Sequence, residues 1–209
     1  MEPKKIYHVG NCFNYSTWIK DAVAVKTIKE CNIVLFSGGT DVFAGRYGEK
    51  AHPAAEYPDH RRDDKEILIF KEAVTLDKKI IGICRGSQLI CVLNHGILVQ
   101  DQPNPDSLHE IQTYDGKTLE ISSTHHQAQF PFNLEEGVDY KLIAWTEGML
   151  PYHQGANCEE LSPPKEVEIA YYPNTKALAI QGHPEYRCVD ETTIDWLNEQ
   201  VELLLTNKL

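Results

Sequence analysis

The chain has 209 residues, and its 20 Lys plus Arg against 31 Asp plus Glu give a formal charge of −11, which argues against a nucleic-acid-binding surface. Its length fits one domain over residues 1–209, and a hydrophobic content of 42% can fill a substantial core. The six cysteines lack the spacing of a zinc site or a disulfide framework, and no segment has the pattern of a signal peptide or a membrane span. We therefore expect a reduced, cytoplasmic protein with no membrane or nucleic-acid partner.

The first elements form a predicted β-α-β unit. Residues 6–9 and 33–36 are β-branched runs of strand length. Between them, residues 17–30 are predicted to form a helix, with apolar side chains such as Ile19 and Ile28 assigned to its buried face.

Alternating helices and strands are predicted for the rest of the chain. The Asp115-Gly116 pair favours a tight hairpin turn with two positive φ values. Unbroken apolar strands separated by helices indicate an α/β fold with a mostly parallel central sheet, and the hairpin region indicates a small β-rich excursion. The pattern predicts helices over about 63–76, 85–94 and 192–205, strands over 79–83, 140–145, 166–172 and 177–181, a hairpin of 111–114 and 118–122, and a loop over 147–164.

The sharpest local motif is Gly82-Ile83-Cys84-Arg85-Gly86, which joins an apolar strand to a helix. This is the layout of a nucleophile elbow, in which small residues two before and two after the nucleophile permit a tight, strained turn. The N-terminus of the helix favours the thiolate form of Cys84 and offers backbone N–H groups to an oxyanion. The alternative is a buried core thiol between two incidental glycines.

A second motif, His183-Pro184-Glu185, follows the last apolar strand of the predicted sheet. Because parallel-sheet sites gather at the carboxyl ends of strands, His183 can lie near Cys84 and take its proton, while Glu185 orients the imidazole. A surface histidine beside a solvated glutamate is the alternative for either residue alone. The two motifs together favour a Cys-His-Glu triad.

A third motif, Ser37-Gly38-Gly39-Thr40, ends another predicted strand. Its backbone N–H groups could supply a second oxyanion donor if this strand is next to the elbow strand. A phosphate loop is the weaker interpretation, because no Gly-Lys-Ser or Gly-Lys-Thr follows.

Taken together, these motifs resemble class I glutamine amidotransferase domains. Within that superfamily the chain is more similar to the γ-glutamyl hydrolases typified by γ-glutamyl-γ-aminobutyrate hydrolase, and the resemblance spans about residues 33–187. It implies a flavodoxin-like three-layer sandwich. The residues that carry it are Gly38-Gly39-Thr40-Asp41-Val42, Tyr47-Gly48-Glu49, Arg62-Asp63, Gly82 to Gln88, Ser123 to Gln127 and Gln181 to Glu185.

The resemblance also implies a reaction and a set of site residues. The side-chain amide of glutamine or of a γ-glutamyl amine would be cleaved through a glutamyl thioester to give glutamate plus ammonia or an amine, without metal or organic cofactor. The implied catalytic residues are Cys84, His183 and Glu185; the implied oxyanion donors are the N–H groups of Gly39 and Arg85; the implied substrate-binding residues are Gly38, Gln88, His126 and Gln127.

Other functions remain open from the sequence. The protein could be a glutaminase subunit that supplies ammonia to a separate synthetase, or a non-catalytic binding module on the same fold. Cysteine-elbow proteins with stress or deglycase roles fit less well, because they commonly carry His where Arg85 stands. A metal shared by His125 and His126 is not expected, since adjacent residues of a strand face opposite ways.

Overall fold

A computed structural model describes residues 2–10, 13–102, 107–147, 152–154, 157–161 and 165–209. Two short 3₁₀ helices lie at Phe13–Ser16 and Ala44–Tyr47. The strands and helices, in chain order, are β1 (Lys4–Val9), β2 (Ala22–Ala24), β3 (Ile33–Phe36), α1 (His60–Thr75), β4 (Lys79–Ile83), α2 (Arg85–Leu93), β5 (Ile97–Val99), β6 (Ser107–Thr113), β7 (Thr118–Ser123), β8 (Ala128–Phe130), β9 (Lys141–Glu147), β10 (Tyr152–Gln154), β11 (Glu159–Leu161), β12 (Lys165–Tyr172), β13 (Ala177–Ile180) and α3 (Glu191–Leu205).

A nine-stranded mixed sheet organises the fold, with strand order β2-β1-β3-β4-β13-β12-β9-β6-β7. The first five strands in this order pair in parallel, and β12, β9, β6 and β7 continue the sheet in antiparallel pairs. The predicted α/β class with a large central sheet is confirmed. The parallel half places the carboxyl ends of β3, β4 and β13 side by side.

Helices cover the two faces of this sheet. Strand β3 is buried throughout, with Ile33 and Leu35 in the core cluster under α3 and Val34 and Phe36 in the cluster under α1 and α2. Trp196 of α3, which is 2% exposed, packs in the first of these clusters. Alternate residues of one strand therefore pack in two cores, one on each face of the sheet, as is typical of a three-layer sandwich.

Three of the four predicted helices are confirmed, and side-chain caps fix the start of two of them. Asp59 accepts hydrogen bonds from the backbone N–H groups of Arg61 and Arg62 at 3.1 and 3.0 Å at the start of α1. Asp190 accepts from the Thr193 N–H at 2.7 Å at the start of α3. These caps satisfy N–H groups that have no acceptor within the helix.

The predicted helix over residues 17–30 is wrong. This segment instead forms turns and the short edge strand β2. Val25, the residue after β2, donates its N–H to Ile6 O at 2.9 Å. Ile19 and Ile28 are nine residues apart, so they would lie half a turn out of phase on a helix. They pack in different core clusters, one on each side of the sheet. The segment therefore passes around the sheet edge, where a single helix could not bury both side chains.

Two loop predictions also need correction. The hairpin of β6 and β7 is present, but only Gly116 has a positive φ, of 81°, so the Asp115-Gly116 turn does not have two positive φ values. The connection from Thr113 to Lys117 is longer than a two-residue turn, and one left-handed glycine suffices for it. The predicted loop over 147–164 contains the antiparallel pair β10 and β11.

Neither disulfides nor membrane spans occur in the described ranges. No helix there has the length and apolarity that crossing a membrane requires. Burial raises the pKa of the Cys91 thiol to about 11, which fits a packing role. Cys12 lies outside the described residues, and the other five cysteines, Cys31, Cys84, Cys91, Cys158 and Cys188, are free thiols.

The elbow glycine Gly86 offers a test of the packing between α2 and β3. A Cβ at this position would lie 2.4 Å from Phe36 O, so Gly86→Ala should lower the free energy of unfolding by about 1–3 kcal/mol although alanine favours helices. Urea unfolding measures the loss. Glu72→Ala on the exposed side of α1 is the control and should change stability by less than about 0.5 kcal/mol. An equally stable Gly86→Ala protein would contradict the close approach.

Candidate active site

Three adjacent parallel strands deliver the sequence motifs to one edge of the sheet. Strand β4 pairs with β3 on one side and with β13 on the other. Cys84 follows β4, the Gly38-Gly39 segment follows β3, and His183 follows β13 after two residues. The edge at the carboxyl ends of parallel strands is where such folds place ligands.

Cys84 occupies a strained elbow between β4 and α2. Its φ and ψ are 51° and −114°, a conformation that side-chain-bearing residues rarely adopt. A Cβ on Gly82 would lie 2.5 Å from the carbonyl of Gly86, and a Cβ on Gly86 would lie 2.4 Å from Phe36 O, which explains the need for glycine on both sides of Cys84. Arg85 begins α2, and its backbone N–H belongs to the first turn, whose N–H groups have no acceptor within the helix.

His183 lies between a thiol and a carboxylate. Its Nδ1 is 2.8 Å from Glu185 Oε1, and the Glu185 side chain is 8% exposed. Burial opposes protonation of the imidazole, but hydrogen bonds and charge interactions with Cys84 and Glu185 outweigh it and raise the pKa of His183 to about 9. The arrangement therefore favours the protonated imidazolium form of His183 at neutral pH.

Neighbouring strands and rings hold the His183 imidazole in place. Ser122 Oγ donates to His183 O at 2.9 Å, and the His183 N–H donates to Ser122 O at 3.2 Å. Tyr186 stacks on the imidazole with ring centroids 4.6 Å apart, and Tyr15 lies on another side at 6.1 Å. Sequence analysis missed these contacts; the nearness of Tyr186 to His183 in the chain was the one available signal.

Arg62 binds the segment that carries the proposed second oxyanion donor. Its Nη2 donates to Gly38 O at 2.9 Å, to Ser37 O at 3.2 Å and to Ser37 Oγ at 3.3 Å. Gly39 has a φ of 147°, and a Cβ there would lie 2.0 Å from Arg62 Nη1. The guanidinium group thus fixes the path of the backbone beside Cys84, and glycine is required at position 39.

A largely buried ion network links this segment to Arg85, the residue after Cys84. Arg62 Nε donates to Glu66 Oε1 at 2.7 Å, and the other oxygen of Glu66 accepts from Arg85. Arg85 also donates to Asp63, and both of these side chains are at most 1% exposed. Because buried charges must be paired, Glu66 and Asp63 hold two arginines, one on each side of Cys84. Sequence analysis missed Glu66, although its spacing from Arg62 is that of a helical i,i+4 ion pair.

Asp41 joins three of the four predicted substrate-binding residues, which are Gln88, His126 and Gln127. Gln88 Nε2 donates to Gln127 O at 2.8 Å, and Gln127 Nε2 donates to Asp41 Oδ2 at 2.9 Å. His126 Nε2 lies 3.2 Å from Asp41 Oδ1, and its Nδ1 lies 3.4 Å from Asp101 Oδ1. The hydrogen bond to Asp41 outweighs burial and raises the pKa of His126 to about 9. Gly38 lies instead against His183: a Cβ there would be 3.3 Å from His183 Cε1.

Comparison with known proteins identifies the family. The family model described as Peptidase C26 matches residues 16–185, which is most of the chain. The chain belongs to the Peptidase C26 family. This membership supports the class I glutamine amidotransferase-like superfamily that the motifs resemble.

Similar proteins include one from Lactococcus lactis subsp. cremoris named "Putative glutamine amidotransferase-like protein YvdE homolog". It is 36% identical over 93 residues, which cover 44% of this chain and 48% of that protein. Protein NtpR of Enterococcus hirae is 28% identical over 173 residues, which cover 76% of this chain and 68% of NtpR. The aligned part spans about half or less of the length of the two Lactococcus lactis relatives.

Solved structures with this Peptidase C26 fold include two from Thermotoga maritima. A glutamine amidotransferase aligns with a TM-score of 0.56 and 12% identity, covering 100% of this chain and 87% of that one. PurLQS aligns with a TM-score of 0.59 and 16% identity, covering 99% of both chains. At these identities the likeness concerns the fold alone.

The His183 imidazole is the most direct probe of the site. Its pKa should be about 9 in the intact protein, and Cys84→Ala should lower it, because one of the two groups that favour the protonated form is removed. Since the pKa is raised above the usual 6.5, the charged His183 contributes stability that is complete below pH 6.5 and is lost as the pH rises through 9. Histidine-selective NMR titration measures the pKa.

His126 provides the control in the same titration. Its pKa of about 9 depends chiefly on Asp41, so it should not respond to Cys84→Ala. A His183 pKa that stays the same after loss of the thiol would contradict the interaction between Cys84 and His183.

Proposed function

We propose that the protein is a cysteine-dependent amidohydrolase that cleaves the γ-amide bond of glutamine or of a γ-glutamyl amine. The observation that carries this proposal is the strained Cys84 beside a His183 imidazole that is hydrogen-bonded to Glu185 at 2.8 Å. A buried packing thiol would need neither the backbone strain nor the charged neighbour. Membership of the Peptidase C26 family supports amide hydrolysis as the reaction class.

In the proposed mechanism the Cys84 thiolate attacks the side-chain carbonyl carbon of the substrate. The carbonyl oxygen becomes an oxyanion and accepts hydrogen bonds from the backbone N–H groups of Gly39 and Arg85. His183 then donates its proton to the leaving nitrogen, which departs as ammonia or an amine and leaves a glutamyl thioester. His183 next takes a proton from water, which attacks the thioester, releases glutamate and restores the thiolate. Glu185 keeps the imidazole oriented in both steps.

The glutamyl end of the substrate is proposed to bind beside Gln88, His126 and Gln127. The support is the hydrogen-bond network that joins these three residues through Asp41. Gln88 also lies one helical turn beyond Cys84, and its amide contacts the segment that carries His126. Gly38 keeps space open next to His183 because it has no side chain.

A second candidate is a glutaminase subunit that passes ammonia to a separate synthetase. The name of the Lactococcus relative, a glutamine amidotransferase-like protein, favours this alternative. Both candidates use the same chemistry at Cys84 and differ in whether the enzyme is active without a partner. Steady turnover of γ-glutamyl amines by the purified chain favours the free-standing hydrolase, while activity on glutamine that depends on an added synthetase favours the ammonia donor.

The decisive experiment measures glutamate released from glutamine and a panel of γ-glutamyl amines. Cys84→Ala should reduce turnover of the best substrate at least about 10³-fold while the protein remains folded by circular dichroism, because no other group can form the thioester. Cys188→Ser, which alters an exposed thiol, is the matched control and should keep full activity. Full turnover by the Cys84→Ala protein would refute the assignment of the nucleophile.

Arg62→Lys tests whether the ion network positions the oxyanion donors. A lysine cannot contact Ser37, Gly38 and Glu66 together, so kcat should fall about 10–100-fold with KM changed less than about threefold. Arg61→Lys, at an exposed position of the same helix, should leave both constants unchanged. A change in KM alone would show that Arg62 serves substrate binding instead.

A further inference from the structure

A second cluster of polar side chains, buried except for the half-buried Glu166, lies just after β7 and along β12, outside the proposed catalytic groups. It contains His125, Glu166 and Glu168, and one ligand-capable atom from each lies within 4.8 Å of the others. His125 is 4% exposed and Glu168 is fully buried. The proposed mechanism uses none of these three side chains.

The hydrogen bonds of His125 determine which of its ring nitrogens can bind a cation. Nδ1 lies 2.9 Å from Gln127 O, and since a carbonyl oxygen can only accept, Nδ1 carries the hydrogen. The contact from Gln102 Nε2 to the same nitrogen is longer, at 3.4 Å. Nε2 therefore has a lone pair, and it is buried with no hydrogen-bond partner in the described ranges. Burial lowers the pKa of His125 to about 4, which keeps the ring neutral.

Glu168 lies at an irregularity in the pairing of strand β12. The pairing of β12 with β9 shifts register between Val167 and Ile169, which makes Glu168 the extra residue of a β-bulge. Its Oε1 accepts from His109 Nε2 at 3.0 Å. Its Oε2 is buried and has no hydrogen-bond partner among the residues that the structure describes. A buried carboxylate oxygen without a partner is costly unless a cation or another donor reaches it.

Two glutamine side chains add to the unmatched polar atoms around the cluster. Gln102 Nε2 donates to Glu166 Oε1 at 2.7 Å, while Gln102 Oε1 is buried without a partner in the described part of the chain. Gln181, whose N–H donates to Glu168 O at 2.7 Å, has neither side-chain atom paired there. Buried polar atoms are nearly always satisfied, so several unmatched atoms in one place indicate a ligand between them.

We propose that His125 Nε2 and the carboxylates of Glu166 and Glu168 form a binding site for a divalent transition metal, with Zn²⁺ as the ion that these ligands suit. A neutral imidazole and two carboxylates are nitrogen and oxygen ligands typical of zinc, and their two negative charges match the charge of the ion. The carbonyl of Gln127 on Nδ1 is the outer contact that orients a metal-binding histidine. His126 is not a ligand, because it pairs with Asp41 and Asp101.

Zinc binding is tested in a Cys84→Ala background, because Cys84 and His183 could themselves bind zinc. The protein is stripped with chelator, mixed with Zn²⁺, passed through a desalting column and analysed for metal by mass spectrometry. We expect about one zinc per chain, and at least about tenfold weaker binding in each of the variants His125→Asn and Glu168→Gln. The exposed His95→Asn is the matched control and should keep the full content of zinc.

Three results would overturn the proposal. The first is that the Cys84→Ala protein retains no zinc. The second is that His125→Asn and Glu168→Gln retain as much zinc as the Cys84→Ala protein. The third is that His95→Asn loses as much zinc as these two variants. Should either ligand variant fail to fold, anomalous diffraction at the zinc edge from the Cys84→Ala protein decides. The ion should lie about 2.0–2.2 Å from His125 Nε2 and from an oxygen of Glu168. Water molecules at that place, or an anomalous peak elsewhere, would refute the site. Hydrolase activity is not a readout here, so the result does not depend on the proposed function.

Discussion

The close approach of the Cys84 elbow to strand β3 is the constraint on which the rest of the site depends. Gly86 lies so near Phe36 O that no Cβ fits between them, and Gly82 is equally close to Gly86. The helix can therefore begin directly at the end of β4, and Cys84 takes up a strained conformation with a positive φ. That strain is stabilised by the packing of α2 on the sheet, and its result is a thiol at the first turn of a helix.

The buried ion network extends this constraint to the neighbouring strand. Glu66 accepts from Arg62 and from Arg85, so α1 connects the Gly38 segment to the residue after Cys84. The buried Arg85 and its two buried carboxylates are stable only as a complete set, because loss of one partner leaves an unpaired charge in the interior. The geometry on both sides of Cys84 is thus held by groups that do not themselves need to touch a substrate.

Two adjacent histidines show how strongly local surroundings change the pKa of a side chain on this fold. His126 lies between Asp41 and Asp101, which raise its pKa to about 9 and favour the cation. Burial lowers the pKa of His125 to about 4, which favours the neutral ring, and its Nε2 faces a different set of side chains. One residue type in two consecutive positions therefore offers a positive charge to one site and a lone pair to another.

Local sequence patterns determined the strands and helices with strong periodicity, the elbow around Cys84 and the motif that pairs His183 with Glu185. These follow from short-range rules of backbone conformation and residue spacing, which act wherever the segment ends up. Tertiary structure alone decided the path of residues 17–30, because Ile19 and Ile28 could bury their side chains in two separate cores. It also decided the contacts of Arg85 with α1 and the clusters around Asp41 and Glu168, since these join residues far apart in the chain through charge and hydrogen bonding that no local pattern encodes.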